Sequence, residues 1–325
     1  MIACDRWNQR RFPAATQAQS PDGGPVAKEI PANMKRILRR VVKTVVLIAF
    51  SLVIAITALL AWLWLDHNRT TTLPAPTGAY KVGRVIYDWT DPARLNPYSP
   101  VAGTKQELVV WVWYPAATAP SSQAAEYLPE YWRRAIDQHE GFVMRTLLSR
   151  NLTKVQSHSW DNAAVSPQDS LYPVVILRAG GGALSSDYTS LAEDLSSHGY
   201  IVVSFDAPYR TVVTAFSDGR VMERNTQSDF DRMPYAEAEK AATKAMGVWI
   251  MDAKFVLNRL QELNAHDPSG RFQRRLDLEK IGIVGHSLGG ATAAQFCHGD
   301  ARCKAGIHII GGFAELLART TPERN

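Results

Sequence analysis

The stretch IGIVGHSLGGATAAQF, residues 281–296, carries the strongest fold signal in the 325-residue chain. An apolar run leads into GHSLG, residues 285–289, and a helix-forming run follows at once. A G-x-S-x-G pattern between a strand and a helix is typical of a sharp turn that holds its serine in a strained conformation, because side chains at the flanking glycines would clash with neighbouring backbone. The pattern predicts Ser287 as an exposed nucleophile, and an inert serine in a tight connection is the alternative.

A glycine-rich turn follows an earlier strand in PVVILRAGGGALSS, residues 173–186. A serine nucleophile needs backbone N–H groups that stabilise the oxyanion of the reaction, and a turn of this kind supplies them. Glycine-rich turns also bind phosphate, but this one lacks the G-x-x-x-x-G-K-S/T pattern and a nearby lysine. We therefore expect residues 179–182 to form part of an oxyanion hole, with plain loop flexibility as the alternative.

The rest of the chain after residue 80 alternates strand-like and helix-like runs, which predicts a mostly parallel sheet covered by helices. Each predicted strand is short, and several are apolar on both faces. The predicted strands are Val82–Asp88, Glu107–Tyr114, Pro173–Leu177, Tyr200–Phe205, Ile281–Gly285 and Lys304–Ile310, and the predicted helices are Ser185–Ser197, Tyr235–Leu263 and Leu288–His298.

Residues 44–65 contain no charged side chain and would reach about 33 Å as a helix, enough to span a bilayer core. Trp62 and Trp64 lie where an interfacial aromatic belt is expected, and five cations precede the segment within residues 34–43. The positive-inside rule then places the N-terminus in the cytoplasm and the body outside. A cleaved secretory signal and a buried core helix are the alternatives.

The remaining segments complete the domain organisation. Residues 1–33 are rich in Ala, Pro, Gly and Gln without apolar periodicity, and we expect them to be disordered or a non-native extension before Met34. Residues 34–65 form the basic flank and anchor, the polar residues 66–80 are a predicted linker, and residues 81–325 are the predicted α/β domain.

The charge distribution argues against a nucleic-acid partner. The chain has 36 Lys and Arg against 31 Asp and Glu, but residues 1–43 hold nine of the cations and only three of the anions. The remainder is slightly acidic, so a basic binding face on the body is not supported. The three cysteines lack the spacing of a zinc site. Cys297 and Cys303 either pair in an oxidising compartment or stay reduced.

Four stretches of the body resemble the platelet-activating-factor acetylhydrolase family, its plasma type and bacterial relatives. The resemblance covers about residues 80–312 and implies an α/β-hydrolase fold. It also implies hydrolysis of carboxylic esters, including short acyl chains at the sn-2 position of phospholipids, without cofactor, metal or calcium. The stretches are VWVWYPA (110–116), LAEDLSSHGYIVVSFD (191–206), PSGRFQRRLDLEKIGIVGHS (268–287) and GHSLGGATAAQFC (285–297).

Carried over residue by residue, the resemblance makes Ser287 the nucleophile and the N–H groups of Gly181 and Leu288 the oxyanion donors. The family segment that resembles FSHGLG reads LRAGGG here, at residues 177–182. The backbone role is retained, whereas contacts of the missing histidine are lost.

The pattern breaks where the acid and the base of a catalytic triad are expected. The family run that resembles AGIDLDG reads AGIHIIG here, and Ile310 takes the position of the aspartate. The sequence ends 38 residues after Ser287, which leaves no room for the loop that bears the histidine. We therefore expect a frameshift or truncation near position 310 and a hydrolase domain that is incomplete at its C-terminus.

A rearranged site is the alternative to that expectation. It would draw on His298, His308, Asp300 and Glu315. We expect His286 to be a packed turn residue, because neighbours on this turn cannot point at one another. Asp206 and Arg210 are interpreted as loop residues, with a role in shaping the acyl pocket as the alternative. On the long predicted helix, Trp249 is interpreted as a packing residue and Asp252 as a helix-face charge.

The functional hypothesis is a membrane-anchored, extracytoplasmic ester hydrolase that acts on lipid or lipid-like esters, with the chain as given inactive or slow. A carboxylesterase for soluble esters is one alternative. A non-catalytic, membrane-tethered binding protein on a hydrolase scaffold is the other.

Overall fold

The computed structural model describes residues 31–118 and 122–309, which fall into two units divided between Leu59 and Leu60. Helix α1, Ala32–His67, supplies the described part of the first unit and runs on into the second. Among the described residues it is the one helix long and apolar enough to cross a membrane, a property it shares with signal sequences near an N-terminus. The membrane span itself stays a prediction.

The second unit is built on a mixed β-sheet. In the part of the chain that the structure describes, ten strands form this sheet and two more form a separate hairpin. The sheet strands are β1 Thr71–Thr72, β2 Lys81–Leu95, β3 Lys105–Ala117, β4 Gln123–Glu126, β5 Val155–Asp161, β6 Ala164–Val165, β7 Tyr172–Arg178, β8 Ile201–Asp206, β11 Leu276–His286 and β12 Cys303–Ile309, and the hairpin strands are β9 Val213–Ala215 and β10 Val221–Glu223.

The strand order along the sheet is β1-β5-β2-β3-β8-β7-β11-β12. Strands β8, β7, β11 and β12 run parallel, as predicted. Strands β2 and β3 are joined in an antiparallel pair, and β3 also pairs antiparallel with β8. The carboxyl ends of β7 and β11 therefore lie side by side, where ligands bind in open α/β sheets.

Helices cover both faces of the sheet. They are α2 Glu130–Glu140, α3 Thr189–Ser197, α4 Tyr235–Ala265 and α5 Leu288–Gly299. Strand β3 shows how the faces separate, because its side chains alternate. Val110 and Val112 enter the cluster with α4 and α5, whereas Trp111 and Trp113 enter the cluster with α2 and α3. The prediction of a sheet covered by helices is confirmed.

Residues 66–80, the predicted linker, make specific contacts with the body. His67 is buried, and its Nδ1 lies 2.7 Å from the carbonyl oxygen of Ser149. Strand β1 pairs with β5, and both the N–H and the hydroxyl of Thr77 donate to Asp194 at 2.8 Å. Several polar groups of this segment are thus hydrogen-bonded to the body.

Strand β12, at the end of the described sheet, is linked to α5 by a disulfide and borders an exposed apolar groove. Cys297 in α5 and Cys303 in β12 form a disulfide with a Cα–Cα distance of 5.0 Å. Ile307 in β12 is 59 % exposed, and an apolar groove of about 550 Å³ runs beside it over β7, β11 and β12. Ile310 and the residues after it lie outside the described part.

Candidate active site

Ser287 lies on the turn between β11 and α5. Its backbone has φ 53° and ψ −124°, a conformation that residues with a side chain rarely adopt. The carbonyl oxygen of Ser287 accepts from the N–H groups of Gly290 and Ala291, at 2.9 and 3.2 Å, so the helix begins directly under the turn. The Ser287 N–H donates to the carbonyl oxygen of Ile309 at 3.2 Å.

The glycines around Ser287 are sterically required. A Cβ on Gly285 would overlap the backbone of Gly289, and one on Gly289 would lie 2.5 Å from the carbonyl oxygen of Arg178. Real Cβ atoms essentially never approach backbone this closely. The turn therefore presses the start of α5 against the end of β7, as the spacing of the glycines predicts.

The two predicted oxyanion donors flank this turn. Leu288 is the first residue of α5, where a helix leaves its N–H groups without intrahelical partners. The Leu288 and Gly181 N–H groups donate to no other group in the described residues. A Cβ on the neighbouring Gly180 would lie 3.5 Å from the Cβ of Ser287, so the glycine-rich turn borders the serine. The structure thus brings Ser287, Leu288 and the turn at 179–182 to one place.

His286 packs below the turn. Its Nδ1 lies 2.9 Å from the hydroxyl of Tyr188, and this hydroxyl accepts the N–H of Gly180 at 3.3 Å. The imidazole therefore contacts Tyr188, which in turn binds the glycine-rich turn, and it does not contact the Ser287 hydroxyl. This position agrees with the interpretation of His286 as a packed turn residue.

The described residues hold no acid and base in hydrogen-bond contact with the Ser287 hydroxyl. His298 is exposed at the far end of α5, and Asp300 binds Arg302 at 2.7 Å, which holds the pKa of that carboxyl below its usual range. His308 packs against the first turn of α5, where a Cβ on Gly290 would overlap its ring. The structure therefore does not bring the residues of a rearranged site together, and Glu315, like the Ile310 position, lies outside the described residues.

A family model described as platelet-activating factor acetylhydrolase, isoform II, matches residues 65–311, which is most of the chain. The chain belongs to this family. The match includes the serine turn and the glycine-rich turn, and it begins at the end of the apolar stretch in α1.

Curated relatives are about a quarter identical to the chain over the aligned residues. A platelet-activating factor acetylhydrolase of Cavia porcellus is 26 % identical over 258 residues, which are 74 % of this chain and 55 % of the relative. A probable 1-alkyl-2-acetylglycerophosphocholine esterase of Arthroderma benhamiae is 28 % identical over 142 residues, which are 43 % of this chain and 31 % of the relative. The chain thus spans about half the length, or less, of these curated relatives.

A solved structure supports the fold. A ferulic acid esterase from Streptomyces cinnamoneus is 29 % identical, with a TM-score of 0.60 over 75 % of this chain and 63 % of the esterase. Together with the strand order and the serine turn, this likeness confirms the predicted α/β-hydrolase fold.

Sequence reasoning missed a buried charged cluster behind the glycine-rich turn. Asp252 in α4 is fully buried and pairs with Arg210 at 2.5 Å and with Arg94 at 2.9 Å. Asp206 accepts the indole N–H of Trp111 at 2.8 Å and the backbone N–H of Ser185 at 2.8 Å. Desolvation by burial raises the pKa of Asp206 to about 7.

This cluster corrects the interpretation of Asp206, Arg210 and Asp252 as ordinary loop and helix-face residues. A signal was present in the sequence, because Asp252 follows Trp249 and precedes Val256 at helical spacing on the apolar face of α4. A charge on an apolar stripe requires a buried partner. The partner itself, Arg210, lies 42 residues earlier in the chain and cannot be read from a local pattern.

Proposed function

We propose that the protein is a serine-dependent carboxylic ester hydrolase with Ser287 as its nucleophile and with the N–H groups of Gly181 and Leu288 as its oxyanion hole. The observation that carries the proposal is the turn at Ser287, with its positive φ, its required glycines and two N–H groups without partners in the described residues. Family membership supports the same chemistry.

The mechanism follows from these groups. The ester carbonyl oxygen accepts hydrogen bonds from the two N–H groups, and these bonds strengthen as negative charge develops on that oxygen. The Ser287 Oγ attacks the carbonyl carbon while a base takes its proton, and the alcohol leaves with that proton. Water then attacks the acyl-serine in the same way and releases the carboxylic acid.

The base and the acid that orients it are expected to come from outside the described residues. A chain that lacks them should turn over esters more slowly than one that has them, by a factor on the order of 10⁴ or more. In the proposal, residues 44–65 anchor the protein in a membrane with the body on the extracytoplasmic side.

For the substrate, we favour lipid or lipid-like esters with a short acyl chain. The names of the curated relatives and the apolar helix support this substrate class. The likeness to a ferulic acid esterase favours a second candidate, a carboxylesterase for soluble esters. The absence of a described base at Ser287 favours a third, a non-catalytic binding protein on the same scaffold.

A restored enzyme tests the proposal. The 325-residue chain is compared with a version that carries Asp at position 310 and the in-frame downstream sequence. We expect the restored version to hydrolyse a short-chain p-nitrophenyl ester on the order of 10⁴ times faster and to react with a fluorophosphonate probe.

Two serine substitutions provide the matched controls. Ser287→Ala should abolish turnover and labelling, whereas Ser217→Ala, at an exposed serine outside the site, should leave both unchanged. Competition between a short-chain sn-2 phospholipid and a soluble aromatic ester separates the two substrate classes. Turnover or labelling that survives Ser287→Ala would contradict the proposal, whereas fast turnover by the unrestored chain that is lost in Ser287→Ala would contradict only the expectation of a missing base.

A further inference from the structure

Arg178 is a buried cation without a carboxylate partner in the described residues. Its side chain is 3 % exposed, and one Nη donates to the carbonyl oxygen of Phe205 at 2.8 Å while Nε has no partner. The guanidinium faces the rings of Phe205 and Trp249, at 3.9 and 4.9 Å from the ring centres. Burial of a charge costs free energy unless polar or charged neighbours compensate for the loss of water, so such a residue is often retained for a function.

The guanidinium remains charged at neutral pH. Burial lowers the pKa of Arg178 to about 10, and the negative charge of Asp252 opposes that effect. Arg94 and Arg210 already share the Asp252 carboxylate, and Arg94 also pairs with Asp91, so Arg178 feels the negative charges of Asp252 and Asp206 without forming an ion pair of its own in the described residues.

Arg178 is also the last residue of β7, directly before the oxyanion turn. The carbonyl oxygens of Arg178 and Ala179 lie against Gly289 in α5, where a Cβ would overlap them. Arg178, Arg210, Gly180 and Gly182 line one cavity of about 10 Å³, so both arginines border the glycine-rich turn. The turn therefore lies between the start of α5 and these two arginines.

Residue 179 of the turn has no hydrogen-bonding side chain of its own. Ala179 stands where the resembling family segment has a histidine, and a methyl group cannot anchor a turn by hydrogen bonds. A cation beside the turn favours negative charge on whatever the N–H groups of the turn bind.

We infer that Arg178 is a positioning residue for the oxyanion turn, and that its fixed positive charge raises the affinity of this turn for developing negative charge. The expected effect of Arg178 on turnover rests on the proposed function, whereas its expected effect on the order of the turn does not.

Arg84 provides a matched control for substitutions at Arg178. It is another buried arginine that donates through one Nη to a backbone carbonyl, that of Tyr127, and faces an indole ring, that of Trp111. It lies in β2, away from β7 and the turn. Arg84→Met therefore reports the general effect of removing a buried guanidinium.

The experiment measures the turn and the turnover separately. Hydrogen exchange of residues 179–183 in the full chain should be at least tenfold faster in Arg178→Met than in Arg84→Met at matched fractions of folded protein. In the restored enzyme, Arg178→Met should lower kcat at least tenfold with KM changed less than threefold, and Arg178→Lys should recover part of that loss because it keeps the charge.

The outcomes distinguish this inference from the proposed function. If exchange in the turn is the same in both Met variants, or if activity follows only the folded fraction, Arg178 is structural and the inference is overturned. If Ser287→Ala keeps full turnover, the proposed function fails, and the exchange measurement still decides whether Arg178 positions the turn.

Discussion

At the scale of single residues, the strain at Ser287 is held in place by its neighbours. A non-glycine residue at positive φ carries a conformational penalty of about 1–3 kcal/mol and persists only when packing enforces it. Here Gly285, Gly289 and Gly290 allow α5 to approach β11 and β7 closely enough to fix the serine backbone. The position of the half-buried Ser287 is thus a property of the packing around it.

Asp206 makes the stability of the protein depend on pH. Because burial raises its pKa to about 7, the native state keeps a proton that the unfolded state releases above about pH 4. The native state therefore binds more protons between about pH 4 and 7, and this group makes stability fall as pH rises through that window. We expect the melting temperature of the full chain in detergent to fall between pH 5.5 and 8.5, and Asp206→Asn to reduce that fall.

Asp218→Asn is the control for this measurement. Hydrogen bonds from Arg220 lower the pKa of the exposed Asp218, so this carboxyl stays ionised in both states across the tested range. The variant should show the same fall as the unsubstituted chain. An unchanged fall in Asp206→Asn would show that another group is responsible.

The residues at the serine turn were predictable from sequence because their signal is local. The spacing of the glycines determines the turn, and the turn determines where Ser287 and Leu288 lie. Arg178 was not predicted as part of the site because its surroundings come from β8 and α4, distant in the chain. Burial of a single arginine depends on such distant packing.

At the scale of elements, the apolar stretch of α1 carries a prediction about topology. With residues 44–65 in the membrane and the basic flank inside, alkaline phosphatase fused after residue 80 should be active and a cytoplasmic reporter fused there should not. The same fusions after Lys43 should give the opposite pattern. An inactive phosphatase after residue 80 would reverse the proposed orientation, and a mature protein shortened by removal of α1 would support a cleaved signal.

Elements with strong patterns were predicted, and those with weak patterns were not. Strands β7 and β8 are largely apolar runs, and their bounds were predicted to within one residue. In β11 only the apolar second half was predicted, because the first half, LDLEK, is rich in charge. Strand β5 reads VQSHSWD without a clear apolar period, and helix α2 reads EYWRRAIDQHE, a run of 11 residues whose few apolar positions, Trp132, Ala135 and Ile136, have helical spacing but lie among charged residues. Tertiary contacts, such as those of Trp132 with the sheet, stabilise them instead.

At the scale of the whole molecule, β12 leaves an apolar surface open in the described part of the body. Exposed strand edges and apolar patches favour association with other chains. We expect a protein of residues 66–325 to self-associate in size-exclusion chromatography with light scattering, and Ile307→Lys to reduce this association by placing a charge on the exposed strand.

Val221→Lys is the matched control for this prediction, because Val221 is also exposed but lies in the separate β9–β10 hairpin. It should leave the association unchanged. A monomeric 66–325 protein with a cooperative thermal transition would contradict the expectation.

The disulfide between Cys297 and Cys303 encloses residues 298–302, the last two residues of α5 and the three that join it to β12. A peptide bond cleaved within this loop, for example after Arg302, would therefore leave the two fragments covalently connected. The strand whose Ile309 carbonyl receives the Ser287 N–H would remain tethered to the serine helix despite the break. Such a cleavage would leave the apparent mass unchanged on a non-reducing gel, and the strand would be released once the disulfide is reduced.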